Sequence, residues 1–241
     1  MGVIAMIPAR LESTRFPNKM LADLNGKSVI LTTYLNVVKT NLFDKVYVVT
    51  NSEDIAVEIE RVGGSAIYDQ TQYDCGTDRI ASVVHHVAQF DKDIIINVQG
   101  DEPIMDKETI QALIKALQDG ADAATVQVKI RRQDAQNPNL VKVLSDSKGR
   151  ALCFSRHPVP YQMAETATYW RHLGLYGFKK WALEYFRGLE RGPIEKSESI
   201  EAWRFLENGL HLQMINVDKP TIGIDTPEDL EKVKKLLKNN S

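Results

Sequence analysis

The stretch KVYVVTNSEDIAVEIERVG, residues 45–63, joins a strand to a helix across a single capping turn. Its opening KVYVVT is nearly continuously apolar, the pattern of a strand buried on both faces and not of one alternating between core and water. Ser52 then offers an N-cap, and the residues from Ile55 to Ile59 place apolar side chains at helical spacing. The same unit is read on either side. VIAMI (3–7) and DIIINV (93–98) are further continuous apolar strands, while SVILTTYLNVVKT (28–40) and TDRIASVVHHVAQF (77–90) carry apolar residues at three- and four-residue intervals. Strand, helix, strand in repetition predicts a parallel, right-handed α/β sheet.

Downstream, a helix DKETIQALIKALQ (106–118) and a strand ATVQVKI (124–130) continue the pattern, and then it changes. LVKVLSD (140–146), ALCFSRHPVPY (151–161) and YWRHLGLYGF (169–178) read as strands joined by turns, so the second half is more mixed. WALEYFRGL (181–189) and SESIEAWRFLENG (197–209) read as helices, the second closed by Gly209. LQMINV (212–217) is the last strand, and Thr226 caps a terminal helix with Pro227 at its first position. The 241 residues suffice for a single domain, 1–241, or for one large domain carrying a small subdomain. No fixed-period repeat or low-complexity linker divides them.

A formal net charge of −2, with 43% apolar and 26% charged residues, leaves no electrostatic footprint for nucleic acid or an anionic membrane. Any polyanion must be gripped locally. The opening MGVIAMIPAR has an apolar run of about seven residues, too short for a signal-peptide core or a bilayer span. Cys75 and Cys153 lack metal-ligand spacing and suggest neither a disulfide framework nor a zinc site. A cytoplasmic location is the expectation.

Chemistry concentrates after the strands. The loop IPARLESTRFPNKML follows the first strand, where open α/β sheets bind ligands, and so delivers Arg10, Ser13, Arg15 and Lys19 to a nucleotide position. Guanidinium forks chelate phosphate oxygens and a lysine adds a point charge, so the set suits a triphosphate clamp, although a solvated basic loop has the same composition. The glycines of a Walker loop or a dinucleotide fingerprint are missing. INVQGDEPI (96–104) puts Asp101 at a strand tip, and IGIDTPED puts Asp225 at another. Mg²⁺ takes one or two carboxylates together with phosphate oxygens and water, so two such acids can share one ion. The alternatives are a turn-stabilising Asp101 and an Asp225 that only assists the cap of the last helix.

The ordered set PARLESTRFPNK, CGTDRIA, INVQGDEPI, NPNLVKV, ALCFSRHPVPY, RHLGLYGF, ENG and GIDTPEDLEKV resembles the 3-deoxy-manno-octulosonate (KDO) cytidylyltransferases along nearly the whole chain. The resemblance implies a doubly wound, mostly parallel nucleotide-binding sheet with a smaller mixed dimerisation and sugar-binding subdomain at about 150–195. It implies a homodimer that uses CTP and Mg²⁺ to activate a 3-deoxy-2-ulosonic acid, most simply KDO, for lipopolysaccharide or related surface-glycan synthesis. Carried over residue by residue, Arg10, Arg15 and Lys19 hold the triphosphate, Lys19 also stabilises the leaving pyrophosphate, and Asp101 and Asp225 hold the metal. CGTDR matches a segment lying over the nucleotide: Gly76 allows close approach, and Thr77, Asp78 and Arg79 fix the loop. Cys75 stands where the family often has Ser and is a weaker donor there, or a small buried filler. Gln99, Arg156, His172, Tyr176 and Glu201 match positions that contact the sugar acid, with Arg156 and His172 offered to its carboxylate.

One departure stands out. ESIEAWR replaces the usual E-x-L-E-Q-L-R, so Ala202 and Trp203 stand where a sugar-facing Gln and its apolar neighbour are expected. Losing a hydroxyl-reading amide points to an altered acceptor, such as an amino-substituted or longer-chain ulosonate. Asn51 in TNS, where TDD is common, is local turn chemistry. The competing readings are a cytidylyltransferase for a sialic-acid-like nonulosonate and a non-catalytic nucleotide-sugar sensor on the same sheet.

Overall fold

The computed structural model describes residues 1–13, 15–163 and 167–239. Backbone contacts gather the chain into two compact units, Met1–Lys107 with Thr221–Ser241, and Glu108–Pro220.

The first unit holds β1 (Val3–Ala9), α1 (Val29–Lys39), β2 (Lys45–Thr50), α2 (Glu53–Arg61), β3 (Ser65–Tyr68), α3 (Gly76–Val87) and β4 (Ile94–Asn97). Its strands are all parallel, in the order β3-β2-β1-β4. The apolar runs explain the middle of this sheet: every residue of β4 is buried, as are all but the first of β1. Ser52 caps α2 by accepting from Ile55 N, as its position predicts, and Ser28 caps α1 through Leu31 N. The edge strand β3 has no apolar run, which is why periodicity passes over it. The order decides where a ligand fits. The chain winds outward from β1 to β3 and then returns to β4 on the other side of β1, so the loops after β1 and β4 diverge and open a crevice.

The second unit begins with α4 (Lys107–Gln118), β5 (Ala123–Ile130) and the single turn α5 (Arg132–Ala135). The hairpin β6 (Lys142–Ser145) and β7 (Ala151–Ser155) follows, then β8 (Tyr169–Lys179), α6 (Lys180–Arg187), α7 (Pro193–Glu198), α8 (Trp203–Glu207) and β9 (Gln213–Val217). β8 runs antiparallel to β5, and β9 parallel to it. Two expectations are corrected here. The strand foreseen over 151–161 stops at Ser155, because Pro158 and Pro160 bring no N–H to a ladder.

The helix foreseen over 197–209 is two helices, broken at Ser199, which takes a left-handed φ of 52°. The Arg156 guanidinium takes the carbonyls of Glu198 and Ser199, the acceptors that a continuous helix would offer to the next turn. Glu207, on α8, caps the start of α7 through Ile194 N and Glu195 N. A buried Glu195–Arg204 pair at 2.7 Å, with Arg204 stacked 4.2 Å over the Phe186 ring, ties the two pieces together.

The chain then returns to the first unit as α9 (Pro227–Asn239). Thr226 Oγ1 accepts from Asp229 N while the Asp229 carboxylate accepts from Thr226 N, a reciprocal cap that leaves Asp225 outside the helix. Leu230 and Val233 of α9 bury against Leu24, Val29 and Ile224, flanked by Phe16 and Ile222. Each such side chain contributes about 1.5–3 kcal/mol on burial, so this small core anchors the loop carrying Asp225.

Candidate active site

A cavity of about 290 Å³ opens at the crevice beside β1 and β4, entirely within the first unit. Arg10, Ser13, Arg15, Lys19, Cys75, Gly76, Arg79, Gln99, Asp101 and Asp225 line it, so most of the residues expected around a nucleotide come together there. Three backbone devices hold its floor. Ile224 N donates to Asp101 O at 2.9 Å and couples the two acidic loops, while the Thr33 hydroxyl donates to Gly100 O and Asn36 Nδ2 to Pro103 O. Gly100 and Gly76 both press on Pro8: a Cβ would stand 2.9 Å from the Pro8 carbonyl oxygen in the first case and 2.9 Å from its ring in the second. Close approach is therefore what Gly76 supplies, toward Pro8.

Lys19 is the centre of the charge arrangement. Its Nζ donates to Asp101 Oδ2 at 2.5 Å, to Ile224 O at 3.0 Å and to Asp225 Oδ1 at 3.4 Å, and its side chain is only 11% exposed. Arg15 reaches Asp225 from the solvent side at 2.9 Å, an exposed pair worth little by itself. Two carboxylates from loops far apart in sequence thus converge on one cation. That donor set fits Mg²⁺, which completes its octahedron with water and phosphate oxygens. Among the described residues no group of three or more His, Cys, Asp and Glu side chains could hold a metal, and two carboxylates are the share that a phosphate-bound Mg²⁺ asks of a protein.

The far wall is built on α3. Cys75 is its N-cap: Sγ accepts from Asp78 N at 3.4 Å and donates to the Asp78 carboxylate at 3.1 Å. Thr77 does not line the cavity, because its side chain is buried and its hydroxyl accepts from Asn97 Nδ2. Arg79 is 4% exposed, and among the described residues its Nη1 has no hydrogen-bond partner. Burial lowers its pKa, and the Asp69 carboxylate opposes that shift. The guanidinium lies over the Tyr73 ring, 5.3 Å from its centre, and Tyr73 donates to Asp69 at 2.7 Å. Burial pushes the Asp69 carboxyl up, but hydrogen bonds from Tyr73, Thr71 and Ser82 outweigh it and hold the pKa at about 2. Sequence reasoning passed over Tyr73 and Glu12, both in the cavity wall. Asn51 belongs to the same neighbourhood, donating to the Glu12 carboxylate at 3.3 Å.

Of the residues expected around a sugar acid, Gln99 lines this cavity, whereas Arg156, His172, Tyr176 and Glu201 belong to the second unit. His172 and Tyr176 are buried, with rings edge to face at 5.3 Å. Thr125 Oγ1 sits 2.9 Å from His172 Nε2 and 2.9 Å from the Leu175 carbonyl, which can only accept. The hydroxyl proton therefore goes to the carbonyl, and the ring donates through Nε2–H. Burial, assisted by Arg171, pushes the His172 pKa down to about 3. The ring is therefore neutral, and His172 brings no charge to the carboxylate for which it was expected beside Arg156. Ala202 is wholly buried, so its Cβ meets no open space from which to read a hydroxyl. Trp203 Nε1 donates to Phe154 O, and its ring meets Phe154 edge-on, which is core packing.

A family model described as cytidylyltransferase matches residues 4–215. The 3-deoxy-manno-octulosonate cytidylyltransferase of Christiangramia forsetii is 46% identical over 98% of this chain and 96% of its own length. That of Flavobacterium johnsoniae is 42% identical over 99% and 100%. The solved structure of CMP:2-keto-3-deoxy-manno-octonic acid synthetase complexed with CTP superposes with a TM-score of 0.94 at 33% identity, covering all of both chains.

Proposed function

We propose, since the chain belongs to the cytidylyltransferase family and within it to the KDO cytidylyltransferases, that it transfers CMP from CTP to the anomeric hydroxyl of KDO and releases pyrophosphate. The observation that carries the reading is the convergence of Asp101 and Asp225 on Lys19 in a cavity edged by Arg10 and Arg15. In this chemistry the anomeric oxygen attacks the α-phosphorus in line as the bond to pyrophosphate breaks, so the protein contributes position and charge. Arg10, Ser13 and Arg15 grip the triphosphate, and Lys19 neutralises the charge that grows on the departing pyrophosphate. Cys75, Gly76 and Thr77 hold the α3 start against the nucleotide, Thr77 through Asn97, and Arg79 adds a buried positive charge. Asp101 and Asp225 would hold Mg²⁺, which supplies Lewis-acid neutralisation of phosphate oxygens when bound.

For the acceptor, Arg156 takes the carboxylate and Tyr176 and Glu201 orient the hydroxyls, with His172 a neutral ring packed on Tyr176, while Gln99 lines the cavity of the first unit. Homodimerisation through the second unit is supported by Leu152, Tyr161 and Met163, large apolar side chains 59%, 85% and 90% exposed. A cytoplasmic location fits a chain with two free thiols and a nucleoside triphosphate substrate, and no helix among the described residues is long and apolar enough to cross a membrane. The product serves lipopolysaccharide or related surface-glycan synthesis. Pyrophosphate release from CTP, followed with KDO, an amino-substituted KDO and a nonulosonate at varied Mg²⁺, tests the reading. Metal-dependent release with KDO is the expected result; CTP binding without release from any acceptor would instead describe a nucleotide sensor.

A further inference from the structure

Lys142, the first residue of β6, is fully buried, yet among the described residues it makes no ion pair. Its Nζ donates to the Asn137 carbonyl at 3.0 Å and, at very short range, to the Arg156 carbonyl. Burying an ammonium on neutral oxygens costs several kcal/mol, and burial indeed lowers its pKa, with the Arg156 charge adding to the effect and Glu198 opposing it. An apolar side chain would fill the same place more cheaply. The ammonium does something an apolar group cannot: it ties the Asn137 turn to the backbone of Arg156.

The other side of this knot is the Arg156 side chain. Nε donates to Glu198 O at 2.6 Å, Nη1 to Pro138 O at 3.0 Å and Nη2 to Ser199 O at 3.3 Å. Glu198 returns the contact, accepting from Arg156 N at 3.0 Å and from the Ser155 hydroxyl. A guanidinium has five N–H donors. Among the described residues three are spent on carbonyls, which leaves one donor on each terminal nitrogen for a carboxylate. Lys142 anchors two of the segments that aim this fork, the backbone of Arg156 and the turn whose Pro138 carbonyl holds Nη1. Among the described residues the knot brings two cations together beside one carboxylate, Glu198, whose oxygens are taken by the Arg156 N–H and the Ser155 hydroxyl and not by either cationic group, so the local balance favours a second anion.

We infer that Lys142 is a positioning residue for acceptor binding: held between the Asn137 and Arg156 carbonyls, it fixes the Arg156 fork in the orientation that receives the carboxylate of KDO. The inference rests on the reading of Arg156 as the carboxylate ligand. Lys142→Met, Arg156→Gln and the double variant are compared by steady-state kinetics with KDO and CTP varied separately, alongside thermal denaturation. Each single variant raises the KM for KDO at least tenfold and moves the KM for CTP less than twofold. In the double variant the KM for KDO equals that of Arg156→Gln alone, since residues acting through one another do not add. Should Lys142→Met not fold, Lys142→Gln keeps a donor for one carbonyl and gives the same comparison at smaller amplitude. A lowered melting temperature with an unchanged KM for KDO, or additive effects in the double variant, reduces Lys142 to a structural residue and overturns the inference. An unchanged KM for KDO in Arg156→Gln overturns the acceptor reading itself, and the inference with it.

Discussion

Lowering the pH from 7.5 to 5 should weaken the fold through His172. In the folded chain burial, with the Arg171 charge adding to it, holds this imidazole near a pKa of about 3, against 6.5 for an ordinary histidine. The sign follows from the depressed folded value. Above about pH 6.5 the ring is neutral in both states; as the pH falls the unfolded chain takes up a proton that the folded chain refuses, so stability is lost between 6.5 and 3. At pH 5 the two states differ by about 1.5 units of protonation free energy, or roughly 2 kcal/mol at 1.36 kcal/mol per unit. Urea unfolding at both pH values, for the wild type and for His172→Gln, isolates the contribution. Glutamine keeps an amide donor for Thr125 Oγ1 and cannot titrate. The wild type should lose about 2 kcal/mol more than the variant across this step. Equal losses in the two proteins would mean that the ring is hydrated or protonated in the fold, and the neutral Nε2–H assignment would fall.

Asp101→Asn and Asp225→Asn should each abolish turnover while leaving the melting temperature within a few degrees of wild type, because both acids are partly exposed and α9 is capped by Thr226 and Asp229 without them. Pyrophosphate release within about threefold of wild type, roughly 0.65 kcal/mol on the barrier, would remove either residue from the metal set. Cys75→Ala deletes the α3 cap and should cost about 0.5–1 kcal/mol in thermal denaturation, whereas Cys75→Ser restores a better acceptor and should cost nothing; equal costs would deny the cap. Ala202→Gln forces an amide into a filled position and should destabilise by about 1–3 kcal/mol. A stable Ala202→Gln enzyme with preference shifted toward KDO would return position 202 to the pocket wall.

What could be read from the sequence was whatever rests on local physics. The strands of the first unit announce themselves because β1 and β4 are buried on both faces and hence continuously apolar. Ser52 and Thr226 declare helix starts through groups three residues away. The break at Ser199 is illegible locally, since its cause is Arg156, 43 residues earlier, competing for the carbonyls of the turn. Much of the cavity lining comes from short contiguous motifs after β1 and β4, which is why the sequence singles out so many of those residues. Tyr73 was missed because its role runs through Arg79 and Asp69, side-chain partners that no periodicity encodes. His172 shows the converse: its position could be carried over from a family, but its charge depends on burial.

The return of the chain to its first unit has a consequence for biosynthesis. Asp101 and Asp225 are bridged by Lys19 and by the Ile224 N–H, yet they stand 124 positions apart in the chain. At about 5–20 residues per second, a ribosome that has finished the first acid needs several more seconds to supply the second. During that interval β1 to β4 can pair, because their parallel contacts are all drawn from the early segment. The lysine at the heart of the cavity meanwhile has only one of its two carboxylates, and the apolar patch around Leu24 and Val29 waits for Leu230 and Val233. The nascent chain thus carries a half-paired Lys19 and an exposed apolar flank until the last helix emerges and docks.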